Sequence, residues 1–118
     1  MSDKQEQIDE ITINGVVYNR AQKVSGDMVL IRSSDSGVHF GKLVRRDGAE
    51  VELADSRRIW YWAGAASISQ LAIDGTSNPS ACKFAVVLPS ITVLGVCEII
   101  PCTDKAIASI SGVPSWTK

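Results

Sequence analysis

The 118-residue chain is 45% hydrophobic and 21% charged, with a formal net charge of -1 at pH 7. This is the balance of one ordinary globular domain, spanning 1–118 and long enough to bury a core without staples. The near-neutral charge supplies no global basic field, which disfavours binding to long nucleic acid and leaves a local basic site open. The longest apolar run, Phe84 to Val96, is interrupted by Pro89, Ser90, Thr92 and Gly95, short of the roughly 20 residues a membrane span needs. Met1 to Glu10 is too polar for a signal peptide, so a cytoplasmic protein without a membrane partner is expected.

In chain order, Met1 to Glu10 reads as a flexible arm. In Ile11 to Tyr18, Asn14-Gly15 separates two β-branched runs, a hairpin signal because both central residues of a type I′ turn need positive φ. A polar connection, Arg20 to Asp27, leads to strands at Met28–Ser33 and Val38–Arg46. Asp47-Gly48 then turns the chain into Ala49–Leu53, where Glu50 and Glu52 alternate with Val51 and Leu53. Ala54-Asp55-Ser56 bends it into an extended Arg57–Trp62. Small residues at Ala63-Gly64-Ala65-Ala66 allow a backbone or ligand to approach closely. Ser67 with Gln70 forms a capping box for a short helix bearing Ile68, Leu71 and Ala72 on one face, and Gly75 stops it.

After the turn-rich Thr76–Ser80, Phe84–Leu88 and Ile91–Ile100 read as strands, split or kinked by Pro89 and bulged near Gly95. Thr103 caps a last helix whose apolar face is Ala106, Ile107 and Ile110, ended by Gly112 and Pro114. Trp116 either packs the tail onto the body or makes an oligomer contact. Antiparallel hairpins and two late helices, without a βαβ pattern, give an α+β fold: a mostly antiparallel β-sheet or open barrel with two short helices.

The stretch from Ala54 to Ala72 carries two of the three Trp and two adjacent Arg. Alternation in an extended Arg57–Trp62 places Arg57, Ile59 and Tyr61 on one face and Arg58, Trp60 and Trp62 on the other. A guanidinium beside aromatic rings suits a flat anionic ligand such as a nucleotide, because Arg pairs with phosphate oxygens while rings stack on bases. The structural alternative is that Trp60 and Trp62 anchor the core while Arg58 snorkels to water. Alternation lets only one of Arg57 and Arg58 face such a site, and Lys105 is a further candidate. Arg32, Ser33, Ser34, Ser36, Gly37 and His39 surround a loop able to grip phosphate as a second anion site, or an ordinary hairpin loop.

Cys82, Cys97 and Cys102 lack Cys-x-x-Cys spacing, and His39 is the single histidine. No metal site or cofactor is expected, and reduced, mostly buried thiols are. Neither a G-x-S-x-G elbow nor a P-loop occurs, and Asp47, Glu50, Glu52 and Asp55 read as a solvated face, so no enzyme is expected.

The phrases IRSSDSGVHFGKL, DSRRIWYWAGAASISQLA and EIIPCTDKAIASISGVPSW resemble small bacteriophage proteins, most of all the Thoeris anti-defence sponge proteins, from about Val29 onward. The resemblance implies a mostly antiparallel β fold with two short helices, a homo-oligomer, and sequestration of cyclic ADP-ribose isomers made by TIR-domain defence enzymes, without cleavage. Some members also hold cyclic oligonucleotides at separate sites between subunits. A cyclic nucleotide is therefore the expected partner. The alternatives are a protein-binding module that inhibits a host defence enzyme, and a small nucleotide-processing enzyme.

Overall fold

The computed structural model describes residues 10–13, 16–19 and 24–117. Strands β1 (Glu10–Ile13) and β2 (Val16–Asn19) pair antiparallel with Ile13 opposite Val16, as the expected hairpin requires. Its two loop residues lie outside the described residues, as do residues 1–9 of the expected arm. The main sheet holds β3 (Val24–Ser33), β4 (Gly37–Asp47), β5 (Glu50–Tyr61), β6 (Lys83–Phe84), β7 (Leu88–Val93) and β8 (Val96–Thr103). All its pairings are antiparallel, in the order β6-β5-β4-β3-β8, and β7 pairs with β5 beside β6. Helices α1 (Ile68–Asp74) and α2 (Asp104–Ser111) complete an α+β fold whose sheet is not closed.

Two apolar clusters sit on opposite faces of this sheet. Leu30, Val38, Phe40, Ile59 and Phe84 pack beneath Leu71 of α1 and Ala106 and Ile110 of α2. On the other face Val29, Ile31, Val51, Leu53 and Val93 meet, with Leu43, Val96 and Ile99 packed against them. One face of β3, β4, β5, β7 and β8 thus converges on a single cluster, which requires the sheet to curl. Leu94 and Gly95 impose that curl: they join β7, paired with β5, to β8, paired with β3 on the far side of the sheet order. Ser33 Oγ donates to Leu94 O at 2.7 Å and Val96 N to Ala49 O at 2.9 Å, holding the link down. Because β3 is covered on both faces, Met28–Ile31 is continuously apolar rather than alternating.

Several boundaries differ from the sequence expectation. Strand β3 begins at Val24, inside the expected polar connection. The turn after β4 is Gly48-Ala49, since Asp47 still pairs with Glu50. Pro89 lies within β7, where an edge strand tolerates a residue without an N–H, and Gly95 separates two strands instead of bulging one. The caps follow the sequence: Ser67 Oγ accepts from Gln70 N at 3.1 Å, and Thr103 Oγ1 from Ala106 N at 3.1 Å. Gly64, at φ 78, is a required glycine, because a Cβ there would lie 2.5 Å from the Asn78 nitrogen. No helix among the described residues is long and apolar enough to cross a membrane.

Arg57 ties the layers together. It is 3% exposed, and its guanidinium donates through Nε to Ala85 O at 3.0 Å and through Nη1 to Ile110 O at 3.1 Å and Val113 O at 2.9 Å. Longer contacts reach Phe84 O and Ser115 Oγ. Burial pushes its pKa below the ordinary guanidinium value, yet a guanidinium stays charged, so the end of α2 supplies carbonyls and a negative dipole end in place of a carboxylate. Arg57→Ala is expected to lower stability by roughly 3 kcal/mol, because each buried carbonyl left without a donor costs about 1–3 kcal/mol. Arg57→Lys recovers little of this, since an ammonium cannot reproduce the planar fork. Urea denaturation midpoints check both; an Arg57→Ala midpoint equal to wild type contradicts the assignment.

Candidate functional site

A one-residue irregularity decides what faces away from the helices. Between the pairs Phe40↔Arg57 and Lys42↔Ala54 the register of β4 and β5 shifts, and Asp55 adopts φ 49. Two residues of β5, Asp55 and Ser56, therefore oppose Gly41 alone, a β-bulge. Gly41 makes room for it: a Cβ there would lie 3.1 Å from Ala54 O and from Ser56 Cα. Before the bulge, Val51 and Leu53 face the cluster away from the helices. After it the parity is reset, so Arg57 and Ile59 turn toward the helices while Ser56, Arg58 and Trp60 line the opposite face.

Arg58 and Trp60 stack there, the guanidinium carbon 4.6 Å from the ring centroid, within the range of a cation–π contact. Trp60 is 57% exposed, so it is not the core anchor considered from sequence. The pair borders a cavity of about 300 Å³ lined by His39, Ser56, Arg58, Trp60, Leu88 and Ile91, together with Ala85 and Val86. Two adjoining depressions of about 470 and 310 Å³ share Arg58, Asp35 and Ser36.

The cavity surface is mostly apolar, and several residues that line it carry buried, incompletely bonded polar atoms. His39, opposite Arg58 in register, is 1% exposed. Its Nε2 lies 3.2 Å from Ser36 O and 3.3 Å from Ser36 Oγ; the carbonyl only accepts and the hydroxyl can accept too, so the arrangement favours the proton on Nε2. Burial, and secondarily the charge of Arg58, lower the His39 pKa from 6.5, against the opposing bond from Ser36, so the ring is neutral at pH 7. His39 Nδ1, Ser56 Oγ and Arg58 Nε are the buried side-chain polar atoms without a partner among the described residues. All three residues line this one cavity. Native folds leave few such atoms, and here all three lie in residues around one cavity, with almost no surface of their own open to it.

The other sequence candidates divide. Trp62 lies beyond the end of β5, half-buried against the helix-side core, and borders the depression containing Arg58 and Gly37. Arg57 is committed to structure, as above. Ser36, Gly37 and His39 join the Arg58 site, so the loop borders the same region instead of standing apart. Ser33 is buried and its hydroxyl accepts from Asp35 N at 3.2 Å and Ser36 N at 3.3 Å, which occupies the loop amides that a phosphate would use. Ser34 is exposed on the loop. Arg32 shares the face of Leu30 and Val38, opposite His39, and pairs with Glu98 at 2.7 Å. Lys105 lies on α2 over the far face and pairs with Asp74 at 3.6 Å. Ser56 was missed, as were the apolar walls Leu88 and Ile91. The bulge that turns Ser56 inward has only Asp55 and Gly41 as its local signal.

The described residues contain no His, Cys, Asp and Glu cluster able to hold a metal ion. Cys82, Cys97 and Cys102 are free thiols, the first and last buried, and burial pushes Cys102 up to about 12, away from thiolate chemistry. A family model described as a domain of unknown function (DUF6948) matches residues 26–110. No curated protein and no solved structure matches the chain.

Trp60→Ala is expected to cost under about 1 kcal/mol in urea denaturation, well below the roughly 3–5 kcal/mol of a core Trp. His39 is protonated less readily folded than unfolded, so its contribution to stability is present above the ordinary pKa of 6.5 and is lost as pH falls below it. Wild type therefore loses more stability than His39→Gln between about pH 7.5 and about pH 5.5. Parallel losses in the two proteins would refute the assignment.

Proposed function

The chain belongs to the DUF6948 family, a domain of unknown function, and we propose that it binds and sequesters a cyclic nucleotide immune signal without cleaving it. The observation that carries this reading is the exposed Arg58–Trp60 stack at the edge of a mostly apolar cavity. A guanidinium pairs with phosphate, and an exposed indole beside apolar walls offers a stacking surface for a base. The resemblance to the Thoeris anti-defence sponge proteins narrows the class to cyclic ADP-ribose isomers, with cyclic oligonucleotides as a second group, acting in the host bacterial cytoplasm. Sequestration asks for complementarity to the ground state alone. His39, neutral and held to Ser36, suits that task better than proton transfer.

Holding a nanomolar signal needs about -12 kcal/mol, and a cavity open to solvent covers only part of a small polar ligand. Val86, Val87 and Leu88 beside it are each more than 40% exposed. A second subunit closing over this rim supplies the missing contacts and covers the apolar residues, so a homo-oligomer belongs to the proposal.

A thermal-shift screen over cyclic ADP-ribose isomers and cyclic di- and trinucleotides, with ligand recovered after denaturation, tests the function. The expected result is stabilisation by at least one compound, about 2.7 kcal/mol at a hundredfold excess over Kd, loss of that effect in Arg58→Ala, and recovery of intact ligand. Altered ligand would indicate an enzyme, and no response to any compound would favour direct inhibition of a host protein. Light scattering at micromolar concentration checks the assembly: a monomer removes the shared-pocket form of the proposal.

A further inference from the structure

Trp60 has a counterpart on the tail. After α2 the chain runs along the outer edge of β6, where Ser115 bridges Phe84 and Trp116 N donates to Phe84 O at 2.8 Å. Phe84 is buried on the helix side, so its neighbours Lys83 and Ala85 turn to the opposite face by strand alternation, and Ala85 lines the cavity beside Trp60. Lys83 Nζ lies over the Trp116 ring, 5.3 Å from its centroid, which brings that indole to the same side of the sheet. Trp116 is 47% exposed, and Tyr61, opposite Lys83 in register, is 53% exposed.

The order β5, β6, tail sets the order of the groups. Trp60, with Arg58 stacked on it, belongs to β5, Lys83 to β6 and Trp116 to the tail. A cation therefore stands between two half-exposed indoles that lie about 10 Å apart, two strand spacings. Neither Arg58 nor Lys83 forms an ion pair among the described residues. No carboxylate lines the cavity or the depression of about 340 Å³ around Trp60, Tyr61 and Trp62; Asp35 borders the two depressions that reach the β3–β4 loop. Fastening the tail does not account for the second pair. Arg57 already holds Val113 O and Ser115 Oγ, and the backbone of Trp116 holds Phe84 O, none of which needs an indole.

We propose that Lys83 and Trp116 form a second ring-and-cation pair of the same binding face, which takes a ligand with two bases joined through a phosphate: one base against Trp60, the other against Trp116, and the linking phosphate at Lys83. Each indole offers a stacking surface that any base satisfies, and the ammonium between them meets the phosphate as a point charge. The proposal rests on the nucleotide reading above and specifies a dinucleotide within it, whereas a cyclic ADP-ribose isomer carries a single base.

Equilibrium dialysis of the full chain against the linear dinucleotide pApA, AMP and inorganic pyrophosphate tests it. The dinucleotide is expected to bind roughly tenfold more tightly than AMP, the gain of one added base stack, and pyrophosphate, which has charge without a ring, most weakly. Lys83→Gln and Trp116→Ala should each weaken pApA severalfold, toward the level of AMP, and leave AMP unchanged. Trp116→Ala retains the N–H that fastens the tail, and Lys83 is exposed, so the urea midpoint of Lys83→Gln stays at wild type and keeps the test valid if the tail loosens in Trp116→Ala. Equal binding of pApA and AMP, equal weakening of both ligands by Lys83→Gln, or a preference for pApA that both substitutions leave intact overturns the second pair but leaves a nucleotide ligand standing. Binding of none of the three, together with a blank screen of cyclic nucleotides, overturns both.

Discussion

Arg57 carries a positive charge into the middle of the molecule, and the arrangement of the helices, tail and last segments follows from where that charge finds its acceptors. Burying an ion costs several kcal/mol. Here the acceptors are main-chain oxygens: Ile110 and Val113 at the end of α2, and Ala85 after β6. One side chain thereby fixes the helix layer to β5 and pins the segment that enters the cavity wall at Ala85 and Val86. Ala85 is held twice, by Arg57 Nε on its carbonyl and by its own N–H donating to Arg58 O at 2.8 Å.

The neighbouring arginine does the opposite. Arg58 has a buried Nε without a partner and a guanidinium laid on an exposed ring. Two chemically identical residues, adjacent in sequence, thus divide between holding the fold and facing the outside. The cavity beside Arg58 is where the fold is least satisfied internally. Unpartnered buried groups cost about 1–3 kcal/mol each, and here the three belong to residues that line one cavity.

Most of the fold was legible because its signals are local. Asn14-Gly15, Ser67 with Gln70, Gly75 and Thr103 act within a few residues, and each marks a boundary found in the structure. The site was half legible. The Arg-Trp stretch stood out by composition, and strand alternation correctly opposed Arg57 to Arg58, but which of them faced the helices depended on the parity reset at Asp55. A bulge of one residue inverts every inside–outside assignment beyond it. Alternation also failed for Trp62, which lies past the end of β5 and turns back toward the helix-side core. The grouping of Arg32 with His39 failed for a related reason: they are near in sequence, but the β3–β4 register places them on opposite faces. Ser56 had no composition signal at all, since a lone serine in a strand is ordinary.

The pairing of β3 with β8 has a kinetic side. Leu30 meets Ile100 and Arg32 meets Glu98, partners separated by most of the described chain, whereas β3, β4 and β5 form a meander of short loops. Contacts of large sequence separation pay their loop-closure entropy before they return any stabilisation. The meander can therefore assemble as soon as it leaves the ribosome, while the first strand keeps an open edge until the last strand arrives. During that interval the apolar run of β3 is half covered and its backbone unpaired on one side, the condition under which nascent β proteins associate with the wrong partner. The two-residue Leu94-Gly95 link shortens that interval, because once β7 has docked on β5, β8 begins within reach of β3.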